Sequence, residues 1–305
     1  MANRQTPRER AKQMTTTITD HTEAVNRQTQ LITDWAKFRQ SFSNEAPPRD
    51  TPRSWGFEIE TPEADELYNA LNREQLATME FCEDASIDGA GNDECECECR
   101  YCYYHDCSCD SCEVEGSDDP EHGCGSSDCY QEGTEYQEVK TLNGGVKTTH
   151  PEALTHLVGA GLETVKITDQ CGLHLNIGSA DLTPLQVAKV LTAYRLGAWL
   201  FDTITGRPNN RYSQKLDPDQ ERLARLEEAT GKYSTVNTQH HFNNIKHNPE
   251  RTRLEFRQHA GENSASEIRA WAWLLCELVE FAKTDRPVYW LAQAKTLDQF
   301  RKALI

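Results

Sequence analysis

Arg253-Leu254-Glu255-Phe256-Arg257-Gln258-His259 is the stretch from which the rest of the chain can be read. Its apolar and charged residues alternate, and in an extended strand alternate side chains share one face. Leu254 and Phe256 therefore point one way, while Arg253, Glu255 and Arg257 point the other. The first face can pack on a core. The second sets charged groups on a sheet, which is costly unless something polar sits above them. Alone, such a strand reads equally well as a half-exposed edge. Three other stretches repeat the arrangement and change its meaning.

Trp55-Gly56-Phe57-Glu58-Ile59-Glu60 sets Phe57 and Ile59 against Glu58 and Glu60. Tyr136-Gln137-Glu138-Val139-Lys140-Thr141 puts Glu138 and Lys140 on a common face. Cys171-Gly172-Leu173-His174-Leu175-Asn176-Ile177-Gly178 separates His174 and Asn176 from Leu173, Leu175 and Ile177. A further strand starts at Phe81–Ile87. Helical spacing or composition marks Ala24–Phe42, Pro62–Leu76, Pro184 to about Ile204, Asp217–Thr230 and Ser264–Lys283. Strands separated by long helices predict an α+β fold, with helices covering the apolar face of the sheet.

Collected on one face, the polar residues are Glu58, Glu60, Glu138, Lys140, His174, Asn176, Glu255 and Arg257. Crowded carboxylates repel one another unless cations lie between them. Hard oxygen donors of this kind suit Mg²⁺ or Mn²⁺, which typically bridge to phosphate oxygens. Arg257, with Arg207 and Arg211 from the polar stretch Gly206–Tyr212, could hold a phosphate. Asn143-Gly144-Gly145-Val146-Lys147-Thr148-Thr149 fails the phosphate-loop pattern, because no glycine directly precedes Lys147, and it reads as a loop near a ligand.

Charge and cysteine are concentrated in one segment. The 305-residue chain carries a net charge of -17, yet residues 83–138 hold 18 of the 49 acids and a single base, Arg100, so the remainder is neutral. That argues against a body that binds nucleic acid by bulk charge. Nine of the 12 cysteines, Cys95, Cys97, Cys99, Cys102, Cys107, Cys109, Cys112, Cys124 and Cys129, fall in the same segment. A Cys-x-Cys-x2-Cys triplet beginning at Cys97 recurs at Cys107. Thiolates at this spacing converge on tetrahedral ions, so structural Zn²⁺ is expected ahead of disulfides or an iron–sulfur cluster. No apolar run approaches the ~20 residues that span a bilayer. The opening residues Met1–Arg10 lack the apolar stretch of a secretory signal, so no membrane partner and a cytoplasmic location are expected. The organisation expected is a polar extension over 1–53 and a domain over 54–305, interrupted by a Cys-rich acidic insert at 88–134.

Gly56-Phe57-Glu58-Ile59-Glu60, Asp84-Ala85-Ser86-Ile87, Glu138-Val139-Lys140, Cys171 through Gly178, Arg207 through Tyr212, Asn237 and Leu254 through His259 together resemble the amidoligase family. That family is related to glutamine synthetase and the carboxylate–amine ligases. Cys-Gly-Leu-His and Glu-Phe-Arg carry most of the resemblance, which spans residues 54–283 and leaves out 1–53 and 88–134. It implies a glutamine synthetase-like, mostly antiparallel sheet cradling ATP and divalent metal on one face. Glu58, Glu60, Glu138 and Glu255 would be metal ligands. His174 resembles a metal-binding histidine of glutamine synthetase. Asn176, Arg207, Asn210 and Arg257 would contact nucleotide, with Arg257, Arg211 and Lys140 assisting transfer. ATP would activate a carboxylate as an acyl phosphate and an amine would displace phosphate, the acceptor being a small molecule, a peptide or a protein. The alternative reading is a zinc-stapled interaction protein on a ligase-like fold that does not catalyse. A metal-dependent hydrolase is disfavoured, since no His-rich or Asp-rich dinuclear spacing occurs.

Overall fold

Where the sequence alternates, the chain is extended, and the extended segments meet edge to edge. The computed structural model describes residues 7–43, 53–83, 144–148, 151–206, 213–225, 228–231 and 233–305. Among them, one six-stranded antiparallel sheet runs in the order β2-β3-β1-β4-β6-β5. Its strands are β1 (Trp55–Thr61), β2 (Glu80–Glu83), β3 (Gly144–Thr148), β4 (Gly172–Gly178), β5 (Val236–Asn237) and β6 (Arg253–Ala260). The helices are α1 (Pro7–Gln40), α2 (Ala64–Ala70), α3 (Arg73–Leu76), α4 (Ala153–Gly159), α5 (Pro184–Leu196), α6 (Ala198–Ile204), α7 (Pro218–Arg225), α8 (Gln239–Asn244), α9 (Ala265–Phe281), α10 (Tyr289–Gln293) and α11 (Leu297–Leu304). The α+β reading holds. No helix of the described residues is long and apolar enough to cross a membrane.

Register explains the two faces. Phe57 lies opposite Leu175, which lies opposite Phe256, which lies opposite Val236. All four are fully buried, as are Ile59, Leu173, Ile177 and Leu254. The α5 and α9 helices cover this face. Tyr194 of α5 sets its ring 5.5 Å from Phe256, and Trp271 of α9 sits 5.6 Å from His259. A capping box between Thr183 and Gln186, with Pro184 at the first position, starts α5. The single helix expected from Pro184 to about Ile204 is two, broken at Gly197. A Cβ there would come within 2.8 Å of the rings of Phe201 and Phe300, so the break lets both aromatics close over the backbone.

Two local features were not readable from alternation. Gly144–Thr148, expected as a loop, is the strand between β1 and β2, with Val146 and Thr148 buried and Val146 opposite Ile59. In β6 the register slips, Leu175 pairing with Phe256 but Leu173 with His259, so one extra residue is accommodated as a bulge. The bulge redirects the end of the strand. Gln258 accepts a hydrogen bond from the Tyr194 hydroxyl at 2.8 Å and donates to Asp202 at 2.6 Å, both in the helical layer. His259 turns to the buried carboxylate of Glu267 on α9, 3.4 Å away.

That carboxylate also anchors the N-terminal helix. Trp35 donates its indole N–H to Glu267 at 2.6 Å and Arg39 its guanidinium at 3.0 Å. Leu31, Trp35 and Phe42 belong to the same core as the sheet, so the last turns of α1 dock on the body.

His241, buried on α8 within 2.9 Å of the Ser179 hydroxyl, is pushed down to about 4 by burial. The unfolded chain takes up this proton near the ordinary histidine value of ~6.5. Between those values the unfolded state therefore binds more protons, and stability falls as pH drops from about 6.5 to about 4. The expected loss is no more than about 3.5 kcal/mol. Urea denaturation across this range should show a slope that His241→Gln flattens.

Candidate metal centre

Three strands distant in sequence bring their polar residues together. Glu58 of β1 lies opposite His174 of β4, and Asn176 of β4 lies opposite Glu255 of β6. Neighbouring strands are about 4.8 Å apart, so side chains facing the same way converge over one strand pair. Glu58, His174 and Glu255 each offer a ligand atom, and these atoms lie within 4.8 Å of one another. The His174 Nδ1 atom is 3.3 Å from Glu58 Oε2 and 3.7 Å from Glu255 Oε1, while Nε2 is 3.6 Å from Glu60 Oε1. One imidazole thus stands among three carboxylates. His174, Glu60 and Glu255 are buried and Glu58 is half-buried.

The carboxylates are oriented by neighbours. Glu60 accepts the Gly172 backbone N–H at 2.5 Å. Glu255 accepts from Arg257 on Oε1 at 2.6 Å and from Asn237 on Oε2 at 2.8 Å. Asn237 is itself held, its side-chain oxygen accepting the Gln239 backbone N–H at 2.9 Å. A carboxylate oxygen has two lone-pair directions, so Glu255 retains acceptor capacity for a cation. Outer partners of this sort typically tune metal affinity 10- to 100-fold. We expect Asn237→Ala to weaken Mn²⁺ binding by ~10-fold in a calorimetric titration.

Two residues given no role from sequence, Arg253 and His240, join the site. Arg253, assigned no role from sequence, donates its Nε–H to Asn176 Oδ1 at 2.9 Å. His240, in the first turn of α8, is half-buried in the field of Arg253, Glu255, Arg257 and Glu58. Burial first, then Arg253 and Arg257, hold its imidazole below the usual range against the opposing pull of Glu255 and Glu58. Lys147 stands opposite both Glu58 and Glu80 in register, in the segment expected to be a loop. Pairing β3 with β1 was the missing signal.

Glu138, Lys140, Arg207, Asn210, Arg211 and the nine cysteines Cys95, Cys97, Cys99, Cys102, Cys107, Cys109, Cys112, Cys124 and Cys129 lie outside the described residues. The excursion that contains the cysteines leaves the sheet at Glu83 and returns at Gly144, which face each other across β2 and β3.

The donor set fits a divalent cation. Oxygen donors suit Mg²⁺ and Mn²⁺, and the imidazole shifts the balance toward Mn²⁺, because Mg²⁺ tolerates nitrogen poorly. What fold and site define is an α+β protein with a carboxylate–imidazole cluster on the polar face of an antiparallel sheet. No family profile, curated protein or solved structure matches the chain.

Proposed function

We propose that the protein is an ATP- and divalent-cation-dependent carboxylate–amine ligase of the amidoligase kind, on a glutamine synthetase-like fold. The observation that carries this reading is the convergence of Glu58, His174 and Glu255 on one sheet face, with Glu60 alongside. Order in the chain supports it as well. The glutamate pair, the His-x-Asn pair and the Glu-x-Arg pair that carry the resemblance occupy adjacent strands β1, β4 and β6.

Glu58, Glu60, Glu255 and His174 would hold Mg²⁺ or Mn²⁺, which when bound would neutralise phosphate oxygens of ATP during transfer. Arg257 and Asn237 keep the Glu255 carboxylate in one orientation, so little reorganisation is needed when a cation arrives. Arg253 fixes the side-chain oxygen of Asn176 and leaves its amide N–H groups for a nucleotide. The buried apolar layer beneath excludes water from one side of the cluster and strengthens its field. The substrates in this reading are a carboxylate, activated as an acyl phosphate, and an amine that displaces the phosphate. The cysteines of the insert would bind structural Zn²⁺.

Phosphate release from ATP with Mg²⁺ or Mn²⁺ tests the reading, scored across pools of carboxylates with amino acids and polyamines. Wild-type protein is expected to respond to a matching pair, and Glu58→Gln and Glu255→Gln to lose the response. Equal release from all three proteins would sink the assigned site.

A further inference from the structure

Two adjacent histidines of α8 go different ways. His241 is buried against Ser179, and Phe242 packs on the core beside it. His240 stays half-buried, and among the described residues its ring has no hydrogen-bond or ion-pair partner. Its position is fixed from two directions. The α8 helix follows β5 directly, and Asn237 of β5 gives its amide to Glu255, so the first turn of α8 starts over the β5–β6 edge of the cluster. The ring also interacts with Arg253, Glu255 and Arg257 of β6 and with Glu58 of β1. The first three alternate along one strand with Glu255 at their centre, and Glu58 lies across β4 from them. A group that interacts with all four stands over Glu255 on the polar face and looks toward Glu58.

Two bland roles do not suit this ring. It is not a satisfied core histidine, as His241 is. Nor does it belong to the ligand set, since Glu58, His174 and Glu255 are the residues whose donor atoms lie within 4.8 Å of one another. What remains is an imidazole with its nitrogens free, facing whatever molecule the cation centre holds. Burial and the two guanidiniums favour its proton-free form, the form that accepts a proton. Glu255 and Glu58 favour the imidazolium once it has formed.

We propose that His240 is a catalytic residue, the proton acceptor for a primary amine that reaches the cation centre as an ammonium ion. This role rests on the ligase reading and names the group that makes the amine nucleophilic. The ammonium gives one proton to the imidazole. The freed lone pair forms the carbon–nitrogen bond as the bond from the acyl carbon to the phosphate oxygen breaks. The electron pair of that bond leaves with phosphate, which carries off the second nitrogen proton as hydrogen phosphate. The half-buried ring then returns its own proton to solvent.

The test compares wild type with His240→Ala and with His240→Gln, which keeps more of the side-chain volume. Phosphate release from ATP with Mn²⁺ and the carboxylate pool is measured twice, once with amino acids and polyamines and once with hydroxylamine. Hydroxylamine is unprotonated at neutral pH and needs no base. Both variants are expected to lose ~100-fold or more with the amines, the scale of a positioned base, and less than ~3-fold with hydroxylamine. Added imidazole should restore part of the amine rate of His240→Ala. The melting-temperature rise with Mn²⁺ alone should match that of wild type in both variants. Equal losses with amines and hydroxylamine overturn the proposal, because a residue that only shapes the site is needed by both. Full amine activity in His240→Ala overturns it too, and so does loss of the Mn²⁺ rise, which would make His240 part of the cation site. In each of these cases the ligase reading stands. Wild-type protein silent with every pair, hydroxylamine included, overturns the ligase reading and this role with it.

Discussion

Glu58→Gln and Glu255→Gln are each expected to weaken Mn²⁺ binding at least ~100-fold, since on the proposed reading each removes a charged ligand where loss of an outer partner already costs up to that much. The amide keeps the shape of the side chain and takes away its charge. In Glu255→Gln it also removes the anionic charge that lies 2.6 Å from the Arg257 guanidinium. A ligand that binds only the folded state stabilises it by about 2.7 kcal/mol at one hundred times its dissociation constant. For a domain of this size that raises the melting temperature by roughly 5–10 °C. Wild-type protein titrated with Mn²⁺ should show such a rise, and each variant, at the same concentration, almost none. Identical rises in all three proteins would remove Glu58 and Glu255 from the proposed cation site, whatever reaction, if any, the protein carries out.

The second large effect belongs to Glu267. Its buried carboxylate accepts from Trp35 and Arg39 of α1 and faces His259 of β6, so it fastens the N-terminal helix to the bulged end of β6. Glu267→Leu leaves an indole N–H and an imidazole buried without this partner, and about 3 kcal/mol of stability should be lost. Glu267→Gln keeps an acceptor oxygen and should cost roughly half as much. Urea unfolding followed by tryptophan fluorescence separates the two. Burial would raise the pKa of this carboxyl, but His259, Trp35 and Arg39 outweigh that cost and hold it below the usual range. A carboxylate with a depressed folded pKa contributes stability above its unfolded value, ~4.3 for glutamate, and loses it as pH falls through the folded one. Docking of α1 should therefore weaken in acid below about pH 4.3, and Glu267→Gln should not share that dependence.

Alternation over Trp55–Glu60, Gly172–Gly178 and Arg253–Phe256 was enough to divide core from polar face, because a period of two admits one arrangement once one face must be buried. Glu58, Glu60, His174, Asn176, Glu255 and Arg257 were all legible on those terms. Gly144–Thr148 was not. Its two glycines give no periodic signal, and only the neighbouring edges of β1 and β2 make it a strand. Asn237 sits in a two-residue strand too short for any period to show. Its bond to Glu255 exists because β5 pairs with β6. Arg253 shared the right face but acquired a function only when β4 brought Asn176 beside it.

The opening strand shows where local information stops. Sequence by itself determined that Leu254 and Phe256 enter a core while Glu255 and Arg257 face away, since strand geometry leaves no other choice. It also determined that one acidic, cysteine-dense segment stands apart from a neutral body. Only the tertiary structure decided that Glu255 meets Glu58 and His174, because strand order and register are set by pairing between segments far apart in the chain. The same pairing decided that His259, two residues beyond Arg257, leaves the polar face for the buried carboxylate of Glu267. A bulge is a mismatch between two strands and is written in neither alone.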